Sequence, residues 1–580
     1  MLATGIYDYV IVGGGSAGCV LASRLSKDPA IRVLLLEAGP DFIPGEEPAA
    51  ILDPGVRTVM LPQLFWPQLL DEVGEHRLPV LQARVVGGGS TINGMHAQRG
   101  LPRDYDQWSD LGVQGWSWSD VLPYFKKLET DADFAGPLHG TDGPIQIRRV
   151  AESQWSPLSL ALREALERSG IPRVKDLNSQ DGDKDCTAPV PISSSPTSRS
   201  SAAVSYLDAS VRQRSNLLIA SNTSVRRVVF KDGRAGGVEL DDGRYFSAGE
   251  VILSAGAIHT PTILMRSGIG PGSHLREAGI DTVVDRPGVG RNLRNHPILN
   301  ITCQITRQAR QSRFRHVRPP CPMIVRYSSK IEGCEPTDMV LNLWERAPGL
   351  LLNDPLGRQM TWLMVIMNKS YSQGEVTLNT NNAGLPPRIQ ARVLSDSRDL
   401  ERMTASLRMM AGLIAAKPLA SQINHAFVHN LALGIPPDAL TLRLMKDDLQ
   451  ARLLSTLGAT ALDLFPGLRR KMIRDAGTDI GSILSLGPDR LAEFLRRATS
   501  MGGHPSGTCR LGSPEDSNAV VDSRCRVVGV RNLRVVDTSI FPTPMTAGTN
   551  IPVIMAAEKA ADMILQERRA VTPANHATAA

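Results

Sequence analysis

The stretch "SMGGHPSGTCRLG", Ser500 to Gly512, sets His504 between a glycine pair and a Pro-Ser-Gly turn. Imidazole is the side chain whose ordinary pKa lies near neutrality, so it suits the removal of an O–H proton. Gly502, Gly503 and Gly507 let backbone come close to a bound molecule. In isolation such a histidine more often bonds a loop carbonyl. Its meaning depends on what the rest of the chain binds.

The other end of the chain suggests a nucleotide. Tyr9 to Val12 reads as a strand, followed by Gly13, Gly15 and Gly18 and an apolar-periodic stretch to Leu25 that reads as helix. A second strand starts at Val33 and ends at Glu37, 19 residues after Gly18. Glycines in such a turn bring backbone N–H groups to a pyrophosphate, the helix start favours its charge, and the acid accepts from a ribose. Gly13, Gly15, Ser16, Ala17, Gly18, Glu37 and Ala38 are therefore the candidate nucleotide holders. Gly14, Ser16 and Gly18 also fit the nucleophile elbow of a serine hydrolase. That elbow normally follows several earlier strands, and hydrolysis gives Glu37 no task.

The elements that must position these groups can be read coarsely. "VGGGSTINGM" (Val86 to Met95) is a second glycine loop, too compliant for helix or sheet. "RDYDQWSDLGVQGWSWSDVLPYFKKLE" reads as two helices around a Gly-Trp turn. "LLIASNTSVRRVVF" and "GEVILSAGA" read as strands, Ser395 to Ala415 as a helix, and 437 to 500 as mostly helical. "VRNLRVVDTS" is a strand running into Asp537, and a helix follows with Asn550 at its N-cap and Pro552 in its first turn. Arg307, Arg310, Arg313, Arg315 and Arg318 lie in a stretch of little periodicity that reads as a solvated loop.

The 580 residues exceed one compact core, so two or more domains are expected. With 42% hydrophobic and 21% charged residues the composition is that of an ordinary globular protein. A net charge of +6 is mild at this size and gives no reason to expect nucleic acid. Seven scattered cysteines show no zinc or redox spacing, which favours a reducing compartment and no metal. No stretch is apolar enough to span a membrane, and the first strand leaves no room for a signal peptide, so the cytoplasm is expected.

Together these segments resemble the glucose-methanol-choline (GMC) oxidoreductases, which carry FAD. Residues 7 to 40 are similar to the family's N-terminal fingerprint. "ARVVGGGSTINGMHAQRGLPRDYD" and "GAIHTPTILMRSGIG" resemble its two signatures, and "HPSGTCRLG", "RVVDTS" and "TNIPVIMAAEKAADMI" its C-terminal catalytic region. The motifs keep the family's order over residues 7 to 565. "RGLPRDYDQW", "VLPYFKKLETDAD" and "PLHGTDGPI" resemble its aryl- and allyl-alcohol oxidase branch.

The resemblance implies an α/β (overall α+β) chain with a Rossmann-like FAD-binding domain and a substrate domain. The FAD domain would take 1–120, 216–298 and 506–568. The substrate domain would take 121–215 and 299–505, as a mostly antiparallel sheet ("GEVTLN" one strand) flanked by helices. A frayed tail would fill 569–580. The implied reaction oxidises an alcohol: hydride goes to the flavin, His504 takes the proton, and Asn550 directs the substrate oxygen. Gly88, Ser90, Asn93, Gly94, Val225, Asp537, Asn550 and Ile551 join the cofactor set, and Gly503 and Met367 the substrate pocket. The helix opening at Ile551 would oppose negative charge on reduced flavin. Ile92 stands where some relatives bear a flavin-linking histidine, so FAD is expected to be non-covalent, with His96, nearby but out of register, as the minor alternative for such a link. Gly503 replaces a common aromatic residue, implying a wider pocket. The acceptor is O2 or a quinone-like compound. A hydroxynitrile lyase on the same scaffold is the alternative, and the serine hydrolase a remote one.

Overall fold

The strand Tyr7–Val12 is hydrogen-bonded on both sides by parallel neighbours, Val33–Leu36 and the second half of Tyr245–Leu253. Leu217–Ala220 and Leu533–Val535 extend this sheet at its two edges, again in parallel. Parallel strands covered on both faces need apolar residues throughout, which is why VLLL and VIL are unbroken runs. The first half of Tyr245–Leu253 pairs antiparallel with Arg234–Leu240, which pairs in turn with Val225–Lys231. The helices Ser16–Leu25 and Asn550–Val571 pack on one another, although they lie at opposite ends of the sequence. The computed structural model describes residues 5–571 apart from 54–60, 74–75, 311–318, 347–353, 436–438, 445 and 447.

A second, eight-stranded sheet is antiparallel. Its path runs Gly477–Asp479, Ile423–His429, Pro297–Ile305, Met360–Met367, Met339–Trp344, Met323–Tyr327 and Cys186–Pro189, with Thr499–Met501 also beside Pro297–Ile305. Register sets Ile298 opposite Ile366, Ile366 opposite Val340, and Met364 opposite Asn342. Because successive side chains alternate, these residues share one face. The helix Ser397–Ala415 packs against Met360–Met367, and Met403, Leu407 and Met410 share its buried core.

Several expectations are corrected here. The second glycine loop contains a short helix, Gly89–Ile92, because its Ser-Thr-Ile stretch closes one turn. "GEVTLN" gives the strand Glu375–Thr377, but in a small separate sheet with Arg388–Gln390, Leu70–Val73 and His76–Pro79. The last helix begins at Asn550 itself and continues to Val571, past the expected start of the tail. Arg310 is bonded to Asp463, whereas Arg313, Arg315, Arg318 and residues 572–580 lie outside the described residues. All seven cysteines are free thiols.

Candidate active site

Parallel strands present all their C-terminal ends on one edge, and ligands of such sheets bind outside that edge. Gly13, Glu37, Ser254 and Asp537 follow four of these ends and line one cavity of about 640 Å³. The same cavity continues beneath the antiparallel sheet to His504 and Asn550.

At the nucleotide end, Gly13, Gly15, Ser16, Ala17, Glu37 and Ala38 line the wall. Gly18 does not: a Cβ there would come within 2.0 Å of the Gly13 carbonyl oxygen, so its bareness serves the contact between helix and turn. Glu37 is buried and accepts from the Gly14 and Gly39 N–H groups at 2.8 Å each. Burial raises its pKa against those two bonds. Asp537 is on the wall too, but its carboxylate accepts from Gly256 N–H, Thr260 Oγ1 and Ser539 N–H. It braces the turn after the Tyr245–Leu253 strand. Val225 also lines this end.

The second glycine loop supplies Gly88, Asn93 and Gly94 to the wall. Gly88 has φ +52, and a Cβ on it would lie 2.7 Å from Gly15 Cα, so the two glycine loops meet at bare backbone. Ser90 is off the wall: its hydroxyl bonds the Gly87 carbonyl and accepts from Ala202 N–H, so its role is internal. Ile551 is buried in the apolar core, because the first turn of the helix points it inward while Asn550 and Val553 face the cavity. Met367 is likewise buried on the opposite face of its strand from Met364 and Ile366, so the period of two removes it from the pocket. Gly503 is on the wall.

His504 is half-buried on the cavity wall, and the loss of hydration there pulls its imidazole down to about 4. Its backbone N–H bonds Asn295 Oδ1 at 3.1 Å, and its Nδ1 lies 3.0 Å from Nδ1 of His296. Its Nε2 is 3.3 Å from the Cβ position at Gly548, two residues before Asn550. Asn550 Oδ1 accepts from the Ser16 hydroxyl at 2.9 Å, which turns the rest of its carboxamide away from that serine. The Ser16 hydroxyl is thereby committed to an amide rather than to an imidazole, the partner a hydrolytic serine needs.

Sequence reasoning missed His296, Asn295 and Arg199. His296 lies in "RNLRNHP", which gives no local sign that it meets a loop 208 residues away. Burial, then the proximity of His504, holds its pKa well below the usual range. Arg199 is fully buried and bonds the carbonyls of Ser90 and Asn93 and the Asn93 side chain, fixing the glycine loop.

Five buried polar atoms on the cavity wall lack hydrogen-bond partners: Ser254 Oγ, His96 Nε2, His259 Nε2, Asn342 Oδ1 and Trp344 Nε1. Unmet donors and acceptors at this density mark a place built for a polar ligand. Two family models described as GMC oxidoreductase match residues 7–298 and 370–557. The chain belongs to the GMC oxidoreductases. These enzymes are FAD-dependent, and the cavity fits that group: a glycine turn and helix start at one end, unpaired polar atoms along the wall, and the half-buried imidazole of His504 at the other. The chain is 39% identical to the 5-(hydroxymethyl)furfural oxidase of Methylovorus sp. (strain MP688), over 97% of this chain and 99% of that one. It is 31% identical to the oxygen-dependent choline dehydrogenase of Rhizobium rhizogenes, over 97% and 96%. Among solved structures it resembles pyridoxine 4-oxidase from Mesorbium loti, with TM-score 0.75 and 26% identity over 97% and 99%. The protein is thus a GMC-type FAD-dependent alcohol oxidoreductase acting on CH–OH donors. Among the described residues no helix is long and apolar enough to cross a membrane.

Proposed function

We propose that the enzyme oxidises a neutral primary alcohol, aryl or allylic, to its aldehyde, with His504 as general base. The observation that carries this reading is the character of the cavity above His504. Its sheet-borne wall is Ile298, Val340, Asn342, Trp344, Met364, Ile366 and Asn368, with no charged side chain. The acidic and basic wall residues, Glu37, Asp241, Arg266 and Asp537, all come from elements of the nucleotide sheet and the helix after it. A cationic choline-like alcohol would meet no carboxylate on this roof, whereas a planar apolar one would meet Trp344 and Met364.

FAD, when bound, supplies the hydride acceptor. The residues of this chain manage the proton. With a pKa near 4 the His504 imidazole is neutral at pH 7, so it accepts the alcohol proton at Nε2 without first losing one. The contact with His296 sets the tautomer. Backbone groups of Met545 and Asn368 near the His296 ring oppose the lowering of its pKa, as carbonyls close to an Nε2–H would. His296 Nδ1 is then an acceptor, His504 donates to it from Nδ1, and the His504 lone pair faces the cavity at Nε2. Asn550 points its amide N–H at the substrate oxygen while Ser16 holds its Oδ1. The N-terminus of Asn550–Val571 adds about half a positive charge where the ring would accept electrons. Ile92, an aliphatic residue on the wall, offers no atom for a covalent flavin link at its position, which supports FAD held by contacts alone.

The test is anaerobic bleaching of the bound flavin across a panel of alcohols, followed by readmission of air. Aryl and allylic primary alcohols are expected to bleach it faster than choline. Absence of bleaching by every alcohol, with lyase activity on a cyanohydrin, would overturn the reading in favour of the hydroxynitrile lyase. The rate of return of colour with O2, against a quinone, assigns the acceptor.

A further inference from the structure

The helix Leu449–Leu464 is amphipathic in the wrong sense for a water-facing helix. It turns Ala451, Ser455, Ala459 and Leu462 inward and exposes Leu449, Leu453, Leu457 and Leu464, at 73%, 57%, 67% and 65%. Leu449, Leu453 and Leu457 follow one another at four-residue intervals, so with Leu464 they form a single outward stripe. Phe465 and Leu468, in the turn and the next helix Pro466–Ala476, continue it, and Leu442 precedes it. Fifteen large hydrophobic side chains are exposed among the described residues, and eight of them fall between Ile435 and Leu468. Scattered apolar residues need no explanation, but a contiguous patch of this kind marks an interaction surface.

Charge around the patch decides what it meets. From Leu442 to Ala476 the sequence has seven Lys or Arg against four Asp and no Glu, a surplus of three in a chain whose whole net charge is +6. Arg470, Lys471 and Arg474 are exposed beside the leucines. Of the four Asp, Asp448 is bonded to Arg443 and Asp463 to Arg310. A second copy of the chain in a two-fold dimer would set this positive rim against itself. An exposed leucine stripe with basic margins is instead the pattern of an element lying in the interface of an anionic bilayer.

We propose that the Leu449–Leu464 and Pro466–Ala476 helices dock the enzyme peripherally on an anionic lipid surface. The leucines and Phe465 enter the headgroup boundary and the basic residues face the lipid phosphates. Among the described residues no helix is long and apolar enough to cross, and the attachment proposed is superficial and reversible. The patch lies at the far end of the strand that feeds the active-site roof: Leu462 and Ala459 pack in one small core with Leu356 and Met360, and Met360 begins the strand carrying Met364 and Ile366. An alcohol or an electron acceptor dissolved in lipid would then be concentrated near the enzyme. This inference stands on surface residues alone and is independent of the substrate reading above.

The experiment is co-sedimentation of FAD-loaded enzyme with vesicles of phosphatidylcholine alone or mixed with phosphatidylglycerol. Binding is expected only to the phosphatidylglycerol vesicles and is expected to weaken as salt screens the basic rim. A Leu453→Ser, Leu457→Ser, Leu464→Ser variant should lose sedimentation while keeping flavin content and turnover of a soluble alcohol. Should that variant fail to fold, Arg470→Glu with Lys471→Glu serves, and should weaken binding roughly tenfold or more. Failure of the wild type to bind, or equal binding of the charge-reversed variant, overturns the proposal. So does a dimer in analytical ultracentrifugation that the leucine variant dissociates, since a second copy would then cover the face.

Discussion

A drop in pH is the perturbation that most directly probes the setting of His504. Burial holds its imidazole near 4 in the folded protein, against 6.5 for a solvated histidine. At pH 5.5 a base with pKa near 4 is about 97% neutral, whereas an ordinary histidine would be about 9% neutral. For a neutral alcohol, kcat/KM at pH 5.5 should therefore stay within about twofold of its value at pH 7.5, and fall only as pH approaches 4. The same shift has a stability consequence. Between pH 6.5 and 4 the unfolded chain binds a proton at this position and the folded chain does not, so stability falls as pH falls. The difference, about 2.5 pH units at 1.36 kcal/mol each, is about 3 kcal/mol. Urea unfolding of the holoenzyme at pH 6.5 and 4.5 should show a larger acid-side loss in wild type than in His504→Ala. An acid limb of kcat/KM centred near 6.5, with no such difference in unfolding, would refute the half-buried, neutral imidazole.

Three substitutions follow from the same geometry. His296→Leu leaves the half-buried His504 Nδ1–H without an acceptor, a loss of about 1–3 kcal/mol. It should slow flavin reduction roughly 5- to 150-fold with flavin content kept and partial rescue in His296→Gln; a rate equal to wild type removes the tautomer argument. Gly503 has open space where a side chain would go, though its φ of +71 strains any replacement. Gly503→Trp should lower kcat/KM for bulky secondary alcohols at least about tenfold relative to benzyl alcohol, and an unchanged ratio would show that this space does not hold substrate. Glu37→Ala strips the acceptor from two buried N–H groups, Gly14 and Gly39, at about 1–3 kcal/mol each. Lower flavin occupancy and a lower Tm are expected; a variant purified with full FAD would mean the carboxylate is dispensable to the turn.

The local motifs were legible because their physics is local. A strand, a glycine turn, a helix and an acid at the right spacing fold within 31 residues, so Gly13 to Glu37 could be placed from the letters alone. His504 and Asn550 were legible only through the family pattern, since a lone loop histidine carries no signal of its own. Side-chain direction was not legible. Met367 and Met364 look alike in "TWLMVIM", and only the pairing register of the antiparallel sheet decides which one faces the cavity. Ser90, Ile551 and Asp537 sit at the right places along the chain, yet their side chains are taken up by internal bonds or core packing. His296 and Arg199 act across separations of more than 100 residues, which no spacing rule reaches. The leucine stripe of 449–464 read simply as helix, because periodicity cannot tell which face meets water.

In the proposed reaction the imidazole at 504 takes the alcohol proton as the flavin is reduced. Stopped-flow anaerobic mixing of an aryl alcohol with FAD-loaded wild type and His504→Ala tests it in one turnover. The variant should keep its flavin and be reduced about 10²- to 10⁴-fold more slowly. Reduction of the variant at the wild-type rate would contradict it.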